Sequence, residues 1–339
     1  MNLSSLSPES IQKGLEGRGP FQQEWQVRLT DPVRQNALEL RFSFLVSRNG
    51  FQRVAEVCAI LFQREAGRET KTKVLKQNFD PASFGLLSNR GFKIGTCELS
   101  EGLTRGSIQA QGQTLEWDLS ITSRQKVSFE LIPPSLRKLK ISGSAMSSIE
   151  ADALISGRSA MNGTKLEWSQ APGMVERHEG PLTDHSWIWA HSNHFVSESG
   201  ASAPFVFEGL TLRGHILGIL PSPRFSSFHF LFKGQKYSFN SFRDAIRIKS
   251  HHTTNEWHFQ AERDELMFRG HAQVEHKDLA GLTLEDIHGS LLYCSTSELA
   301  DLSIHVYRRG KLEAALKSEK AAAMEIVSTK KNPYVPLQV

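Results

Sequence analysis

Apolar and polar residues alternate in short runs along most of the chain. The clearest runs are residues 38–45 (LELRFSFL), 106–111 (GSIQAQ), 114–121 (TLEWDLSI) and 228–232 (FHFLF). A period of two residues is typical of a strand with one buried face, because successive side chains of a strand point to opposite sides. Turn signals separate the runs, at residues 48–50 (RNG), 111–113 (QGQ), 161–163 (MNG) and 233–235 (KGQ). Many short strands joined by tight turns predict an all-β fold of antiparallel sheets, built as sandwiches or barrels.

Two segments fit a helix and a strand about equally well. Residues 50–64 space their apolar side chains acceptably for either, and we expect a strand because the segment follows an Asn-Gly turn. Residues 311–326 are rich in Ala, Glu and Lys, so intrinsic propensity predicts a helix. A terminal strand is the alternative for this segment, since β-rich surroundings can override propensity.

The length of the chain indicates two domains. At 339 residues it exceeds the size at which a single hydrophobic core usually stops growing. The best junction is the Gln-Ala-Pro-Gly stretch at residues 170–173, which predicts domains at residues 1–172 and 173–339.

Two other stretches have the composition of connections. Residues 132–157 contain Pro133, Pro134 and several Ser and Gly, and we expect a long connection there because proline cannot sit in a central strand. The tail after Val327 carries Pro333 and Pro336 and should be extended or frayed.

The charges nearly cancel and form no stripe along one element. The chain has 40 basic and 36 acidic residues, a formal net charge of +4. A nucleic-acid partner is therefore not expected. Basic clusters at residues 137–140 (RKLK) and at Lys330 and Lys331 should be solvated, and they leave open a weak contact with an anionic membrane surface. The oligomeric state is undetermined.

The cysteines point to a reducing compartment. Cys58, Cys97 and Cys294 are isolated, with no C-x-x-C pair and no histidine at zinc-finger spacing. The first residues lack the charged and then apolar pattern of a secretion signal, and no apolar run approaches membrane-spanning length. We expect a cytoplasmic protein.

No cofactor or metal is expected from the motifs. The chain has no P-loop, no G-x-G-x-x-G after a strand and no G-x-S-x-G nucleophile turn. The histidines in the second half match no ligand motif by their spacing along the chain: His251, His252, His258, His271 and His276.

One strand has an unusual composition. In residues 187–195 (WIWAHSNHF) the alternation predicts that one face carries Trp187, Trp189, His191, Asn193 and Phe195. A buried His and Asn each need hydrogen-bond partners, which a purely apolar core lacks. This face therefore predicts the wall of a pocket for a hydrophobic ligand with a few polar groups.

The same strand carries a family resemblance. The chain resembles the tocopherol cyclase, carotenoid 1,2-hydratase (hydroxyneurosporene synthase) and AttH-like group. The resemblance spans residues 106–293, and its sharpest part is W-x-W-x-H-x-N-x-F at residues 187–195. The remaining parts are residues 106–108 (GSI), 115–119 (LEWDL), 157–163 and 291–294 (LLYC).

The resemblance implies a pair of lipocalin-like, calycin-type barrels packed together, with a ligand cavity near their junction. Members of the group with known activities cyclise isoprenoid or polyene substrates or add water across a double bond. Two departures stand out: Ser192 occupies a position where the group often has Cys, and residues 178–180 lack the Trp-Gly of the family's upstream turn. The first departure lies on the opposite face of the strand, whereas the second puts any catalytic role of that turn in doubt.

Alkene protonation needs a protonated acid in a dry site and a wall that tolerates positive charge. Trp187, Trp189, Phe195 and Trp117 are candidates for the wall. His191 is the candidate for proton transfer, and Asn193 for orienting a hydroxyl group or a water.

The acid itself is open among six carboxyl groups: Glu116, Asp118, Glu176, Glu179, Asp184 and Glu208. Trp117 should face inward, which places its neighbours Glu116 and Asp118 toward solvent. His178 and His185 are expected in exposed loops.

Other functions stay open on this sequence. His191 and Asn193 would serve equally well as a structural pair that ties the strand to a loop carbonyl, and the tryptophans as ordinary packing. The expected function is binding of an isoprenoid- or polyketide-like molecule, with acid-promoted cyclisation or hydration as the candidate reaction. A carrier of lipophilic molecules without catalysis, or a scaffold with filled barrels, is the alternative.

Overall fold

The structure is a computed structural model. It describes eight stretches of the chain: residues 8–17, 19–64, 70–88, 90–133, 144–180, 186–216, 220–245 and 247–339. The expected basic cluster at residues 137–140, Pro134, Asp184 and His185 lie outside the described residues.

The first half of the chain forms one curled antiparallel sheet of twelve strands in the described residues. Its strands are β1 (Phe21–Asp31), β2 (Asn36–Val46), β3 (Arg53–Arg64), β4 (Thr70–Phe79), β5 (Phe84–Leu87), β6 (Gly91–Ile94), β7 (Cys97–Ser100), β8 (Leu103–Ala110), β9 (Gln113–Ser123), β10 (Phe129–Glu130), β11 (Ala145–Met161) and β12 (Thr164–Glu179). The order is β4-β3-β2-β1-β12-β11-β9-β8-β7-β6-β5, and β10 pairs with β11. The last strand, β12, therefore returns to the side of β1 in the middle of the sheet.

The second half repeats this plan. Its strands are β13 (Ser186–Ser192), β14 (Phe195–Ser197), β15 (Ser202–Ala203), β16 (Phe205–Arg213), β17 (His215–Ile216), β18 (Leu220–Pro221), β19 (Phe225–Phe232), β20 (Gln235–Phe239), β21 (Ile248–His252), β22 (Glu256–Arg263), β23 (Leu266–Gln273), β24 (Ala280–Glu285), β25 (Leu291–Arg308) and β26 (Lys311–Ser328). The main order is β20-β19-β16-β13-β26-β25-β23-β22-β21, while β17 and β18 form a separate ribbon. Again the last strand returns beside the first.

Helices are few and short in the described ranges. The two α-helices are α1 (Glu9–Glu16) and α2 (Phe242–Ala245), and single 3₁₀ turns occur at Pro81–Ser83 and His276–Asp278. Within these ranges no helix is long and apolar enough to cross a membrane. The predicted all-β fold of two lipocalin-like units is confirmed.

The predicted hairpin turns account for much of this topology. At residues 161–163, for example, Asn162 has φ 50° and Gly163 has φ 83°, and the turn joins β11 to β12 with Met161 opposite Thr164. Positive φ at both central positions matches the twist of the flanking strands, which is why Asn-Gly is favoured there.

Alternation sorts the buried side chains into three main cores. The first sheet encloses one core, which includes Trp25, Phe42 and Trp117. The second encloses another, rich in phenylalanine. A third cluster, the interface core, lies between the sheets and combines residues such as Ile60 of β3 with Trp189 of β13. The two units therefore pack against each other through an apolar layer.

The two ambiguous segments are both strands. Residues 50–64 contain β3, as expected. Residues 311–326 lie entirely within β26, where β25 and β13 flank the chain on both sides. Tertiary hydrogen bonding overrides the helical propensity of the Ala- and Lys-rich sequence.

The expected connection at residues 132–157 was wrong from Ala145 onward, because β11 starts there and pairs with both β12 and β9. Its small residues permit close packing rather than a loop. At Gly157, with φ 139°, an added Cβ would lie 2.2 Å from the backbone oxygen of Asp118. Glycine is required at this irregular point in the pairing.

The predicted junction at residues 172 and 173 lies inside β12, which belongs to the first sheet up to Glu179. The change from one sheet to the other falls between Glu179 and Ser186. The tail is extended but not frayed, since Gln338 N donates to Gly281 O at 2.9 Å and Val335 is buried.

Candidate active site

Strand β1 turns an unusual polar face toward the interface core. Trp25 and Val27 point into the core of the first sheet, while the alternate residues Glu24, Gln26 and Arg28 point the other way. Arg28 is 2% exposed, so this polar face is covered by the second sheet. A buried charge requires a partner, and the partners come from both halves of the chain.

Arg28 and Arg41 hold a buried ion network across the two sheets. Arg28 pairs with Glu39 at 3.1 Å, with Glu298 at 2.5 Å and with Glu325 at 3.0 Å. Arg41 pairs with Glu39 and with Glu325, the latter at 2.5 Å. Since Glu298 and Glu325 belong to β25 and β26, the network fixes the second sheet on the first.

The network controls the charge state of Glu325. Burial alone would raise the pKa of this carboxyl group, but Arg41, Arg28 and the indole of Trp187 together lower it to about 2. The Trp187 Nε1 donates to Glu325 Oε1 at 3.0 Å. Glu325 is therefore a fixed anion at neutral pH.

Glu176 differs from the paired carboxylates. It is 2% exposed, and within the described residues neither of its side-chain oxygens has a hydrogen-bond partner. Burial, and then the nearby Glu208, raise the pKa of Glu176 well above its usual value, and Arg28 only partly opposes this. The raised pKa favours the protonated, neutral form of Glu176, which has a proton to donate.

Glu208 is the second buried acid. Its Oε1 accepts a hydrogen bond of 3.1 Å from Trp189 Nε1, and its Oε2 accepts one from Ser148 Oγ. Burial raises the pKa of Glu208 to about 7 despite these two donors. Ser148 on β11 is paired with Glu176 on β12 and also donates to Glu208, so it lies next to both acids.

The two acids differ in access. Glu176 opens into a pocket between the sheets, which we call the acid pocket, and Glu208 does not line it. The pocket is lined by Gln22, Glu24, Gln26, Ile132, Met146, Glu176, His178, Trp187, Leu210, Leu212, Leu284 and Glu325. Its cavity volume is about 40 Å³. That is room for a few water molecules, and it is smaller than the hollow, ligand-sized space expected from the sequence.

A neighbouring pocket extends this space toward the first sheet. It shares Gln22, Glu24 and Leu284 with the acid pocket and has a volume of about 120 Å³. Phe44 and Leu45 of β2 also line it. Together the two pockets form a groove that is largely apolar in the acid pocket and mixed polar and apolar in the neighbouring pocket.

His178 faces the acid pocket, two residues after Glu176 on β12. Burial lowers its pKa, although Glu24 and Glu325 oppose the shift. The imidazole is therefore neutral at neutral pH and able to accept a proton. The expectation of an exposed loop histidine was wrong, because β12 continues through this position.

The tryptophans of β13 lie at the interface core, as the alternation predicts. Trp187 lines the acid pocket and Trp189 packs beside it, with the Arg28 guanidinium 4.6 Å from the centre of the Trp189 ring. Ile188 and Ala190, on the opposite face, pack in the core of the second sheet.

Phe195 departs from the predicted face. Strand β13 ends at Ser192 and β14 starts at Phe195, so the alternation is interrupted between them. Phe195 consequently points into the core of the second sheet, with its ring 5.0 Å from that of Phe205. The prediction of five side chains on one face was wrong at this residue.

His191 and Asn193 make hydrogen bonds across the interface. The Nε2 of His191 lies 2.9 Å from Ala151 O, to which it donates. Asn193 Nδ2 donates to Ala153 O at 2.9 Å and to Gly173 O at 3.1 Å. Asn193 Nδ2 also donates to Asp152 Oδ1 at 3.2 Å. Since all of these acceptors belong to the first sheet, the contacts are those of a structural pair.

The pKa of His191 agrees with that structural reading. Burial lowers it to about 4, although the hydrogen bond to Ala151 opposes the shift. Neither His191 nor Asn193 lines the acid pocket; both border a separate gap of about 10 Å³.

Trp117 is far from these residues in the fold. It is buried in the core of the first sheet, where its Nε1 donates to Thr104 Oγ1 at 3.1 Å. Glu116 and Asp118 are exposed, as predicted from the alternation. The structure therefore does not bring Trp117 and Phe195 together with the tryptophans of β13.

Arg28, Arg41 and their partners are not among the residues that the sequence predicts as functional. The signal was present as charged residues at alternate positions of strands whose other face is apolar, as in residues 38–45. Such a pattern usually belongs to a strand with one solvent-facing side, so it does not by itself indicate a buried ion network. Glu176 and Glu208 are two of the six candidate acids, and only the fold distinguishes them from the other four.

Comparison with known proteins supports this architecture. The crystal structure of an AttH-like protein from Nitrosomonas europaea matches with a TM-score of 0.50 at 12% identity, covering 91% of this chain and 92% of that one. Kievitone hydratase from Nectria haematococca matches with a TM-score of 0.52 at 10% identity, covering 96% and 94%. At these identities the likeness shows a shared fold. No curated protein sequence matches the chain.

The sequence itself identifies the family. The tocopherol cyclase-like family model matches residues 49–328, which is most of both sheets. The chain therefore belongs to the tocopherol cyclase-like family.

Proposed function

We propose that this protein catalyses acid-promoted cyclisation or hydration of a carbon–carbon double bond in a hydrophobic, isoprenoid- or polyketide-like molecule. The observation that carries the proposal is Glu176, a buried carboxylic acid without a hydrogen-bond partner in the described residues, which faces an apolar pocket. An unpaired buried acid destabilises a fold, so its position in a pocket points to chemistry.

The first step is proton transfer from Glu176 to one carbon of the double bond. The carboxyl group gives up its proton, the π electrons form the new C–H bond, and a carbocation remains on the other carbon. The carboxylate left behind is stabilised by the field of Arg28, which favours its charged form. Exclusion of bulk water limits premature quenching of the cation.

Trp187 is the residue best placed to stabilise the cation. Its ring lines the acid pocket, and its Nε1 donates to the fixed anion Glu325. That hydrogen bond holds the indole in place and increases the electron density of its ring. A cation over an indole face gains about 0.5–2 kcal/mol.

An oxygen nucleophile completes the reaction. In a hydration it is a water, and in a cyclisation it is a hydroxyl group of the substrate; in both, the oxygen bonds to the cation and releases a proton. His178 is neutral and faces the same pocket, so it is the proposed acceptor of that proton. Exchange with solvent then returns the proton to Glu176.

The pocket volume limits how the substrate enters. A cavity of about 40 Å³ admits a reactive end and a water, while the adjoining 120 Å³ pocket would hold part of the apolar chain. Pockets for small molecules usually measure about 300–1,000 Å³. Binding is therefore expected to move side chains such as Leu284, which borders both pockets.

His191 and Asn193 have a supporting role in this proposal. They hold β13, and with it Trp187, against the first sheet through the carbonyl groups of Ala151 and Ala153. They are positioning residues rather than proton-transfer groups. The names of the relatives agree with the proposed reaction class, since the family is called tocopherol cyclase-like and one structural neighbour is a hydratase.

The experiment uses the full chain with a panel of prenylated phenols, polyprenyl compounds and polyenes. Incubation in D₂O, and separately in H₂¹⁸O, is followed by mass spectrometry. Cyclisation gives an isomer with one deuterium on carbon, and hydration gives a product with one added water that carries ¹⁸O. A Glu176→Gln variant should lose turnover by about 10²- to 10⁴-fold.

The matched control is Glu116→Gln, an exposed carboxyl group on β9 that should leave turnover unchanged. Full activity of Glu176→Gln would remove Glu176 from the mechanism. Binding of panel members, seen as a raised melting temperature without any product, would favour a carrier of lipophilic molecules.

For the compartment we propose the cytoplasm. The three cysteines, Cys58, Cys97 and Cys294, are free and buried. This agrees with a reducing environment, in which thiols are kept reduced.

A further inference from the structure

The outer face of the second sheet carries a row of histidines on three adjacent strands. His251 of β21 lies directly opposite His258 of β22, and His258 lies opposite His271 of β23. Directly opposed residues share a face of the sheet and have Cβ atoms about 4.5–5.5 Å apart. The alternate residue Trp257 points into the core, so the three histidines face outward.

Glu256 completes this group. It lies two residues before His258 on β22, hence on the same face. Its Oε1 is 2.9 Å from His258 Nε2 and 2.7 Å from His271 Nε2. The two imidazole rings are parallel within 5°, with centres 4.2 Å apart, so both direct the same nitrogen toward one carboxylate oxygen.

We propose that Glu256, His258 and His271 form a binding site for a zinc ion. One ligand atom of each residue lies within 4.8 Å of the other two. Zinc bonds of about 2.0–2.1 Å in a tetrahedron require ligand atoms about 3.3 Å apart, so the two parallel imidazoles must rotate until their nitrogens converge on one ion. Two imidazoles and one carboxylate are a donor set that zinc uses in proteins, with the fourth position taken by water.

The site is accessible and separate from the acid pocket. The side chains of Glu256, His258 and His271 are 37%, 55% and 32% exposed, so an ion reaches them from solvent. The acid pocket lies on the other side of the fold's second core, between the sheets. A test of the zinc site is therefore independent of the proposed reaction.

Sequence spacing alone did not predict this site. His258 and His271 are thirteen positions apart and belong to no ligand motif, and the register of β22 and β23 brings them together. Here the pairing of two strands brings the ligands together, whereas ligands on one helix would be separated by a fixed number of residues.

Isothermal titration calorimetry of the untagged full chain with ZnCl₂ tests the proposal. We expect one zinc per chain, and at least about tenfold weaker binding in His258→Ala and in His271→Ala. The control is His305→Ala, which lies opposite Arg269 on the same outer face but outside the group. Its affinity should equal that of the native chain.

A second variant leaves both histidines in place. Glu256→Gln keeps the shape of the side chain and removes its charge, so it should weaken zinc binding while the melting temperature of the metal-free protein changes little. Co²⁺ in place of zinc should give a visible absorption band that is lost in His271→Ala. No zinc binding by the native chain, or equal affinity in the native chain and both histidine variants, would overturn the proposal.

Discussion

The indole nitrogen of Trp189 donates a hydrogen bond of 3.1 Å to Oε1 of Glu208. Both side chains are buried, and they come from the neighbouring strands β13 and β16. The sequence pattern predicts Trp189 as an apolar wall, whereas the fold also makes it a donor to a buried acid. A donor to a carboxylate favours the charged form, so Trp189 limits the rise in the pKa of Glu208.

Replacement of Trp189 by Phe should therefore raise the pKa of Glu208 above its value of about 7. It should also lower the free energy of unfolding by about 1–2 kcal/mol, since a buried oxygen loses its partner. Infrared titration of the carboxyl band measures the pKa. Trp117→Phe is the control, because it removes an equivalent indole bond to Thr104 without contact with Glu208. An equal pKa shift in both variants would contradict the prediction.

The raised pKa of Glu208 predicts how stability depends on pH. Its folded-state pKa of about 7 lies above the usual 4.5, so between these values the folded state binds more protons than the unfolded state. Stability from this group therefore falls as pH rises through that window, by up to about 3 kcal/mol.

Glu208→Gln removes that titration and keeps the shape of the side chain. Its advantage over the native chain in the free energy of unfolding should grow from pH 4.5 to pH 7, and urea denaturation at both pH values measures it. The comparison cancels the opposite trend from His191, which both proteins share. A difference between the two proteins that stays constant over this range would show that Glu208 is ionised throughout.

Glu176 and Glu39 should respond in opposite ways to the same substitution. Glu176 is buried without a partner, so Glu176→Met should raise the free energy of unfolding by about 1–3 kcal/mol. Glu39 pairs with Arg28 and Arg41, so Glu39→Met should lower it by about 3–5 kcal/mol because two buried cations lose a counter-ion. Thermal and urea denaturation check both values. If Glu176→Met instead lowers the free energy of unfolding, the carboxyl group of Glu176 makes a stabilising contact, which contradicts the prediction.

Asn193 should contribute to the contact between the sheets. Asn193→Ala removes donors to Ala153 O and Gly173 O, and we expect a loss of about 2–3 kcal/mol. The loss should appear as partly separated unfolding of the two halves in calorimetry. Asn240→Ala is the control, because its amide makes one longer bond of 3.3 Å to Glu130 O. A single unchanged transition in Asn193→Ala would contradict the prediction and show that the other contacts between the sheets are sufficient to couple them.

The alternation of residues was sufficient for the fold class and for many individual faces. It predicted Trp117 as buried with Glu116 and Asp118 exposed. The strand expected within residues 50–64 was predicted from the preceding Asn-Gly turn and not from alternation. Alternation failed where small residues build a strand, as in β11, and where a strand is interrupted, as before Phe195. Local patterns do not record how a chain pairs with distant strands.

What the sequence by itself determined is therefore the all-β character, the presence of two units, the turns and the family. The tertiary structure alone decided which polar residues are buried together. Glu39 and Glu116 look alike in the sequence, each flanked by apolar residues, yet Glu39 is fully buried and Glu116 is exposed. The physical reason is that burial of a strand's second face depends on what packs over it, and here a sheet formed by residues far away in the chain covers β1 and β2 but leaves β9 in contact with water.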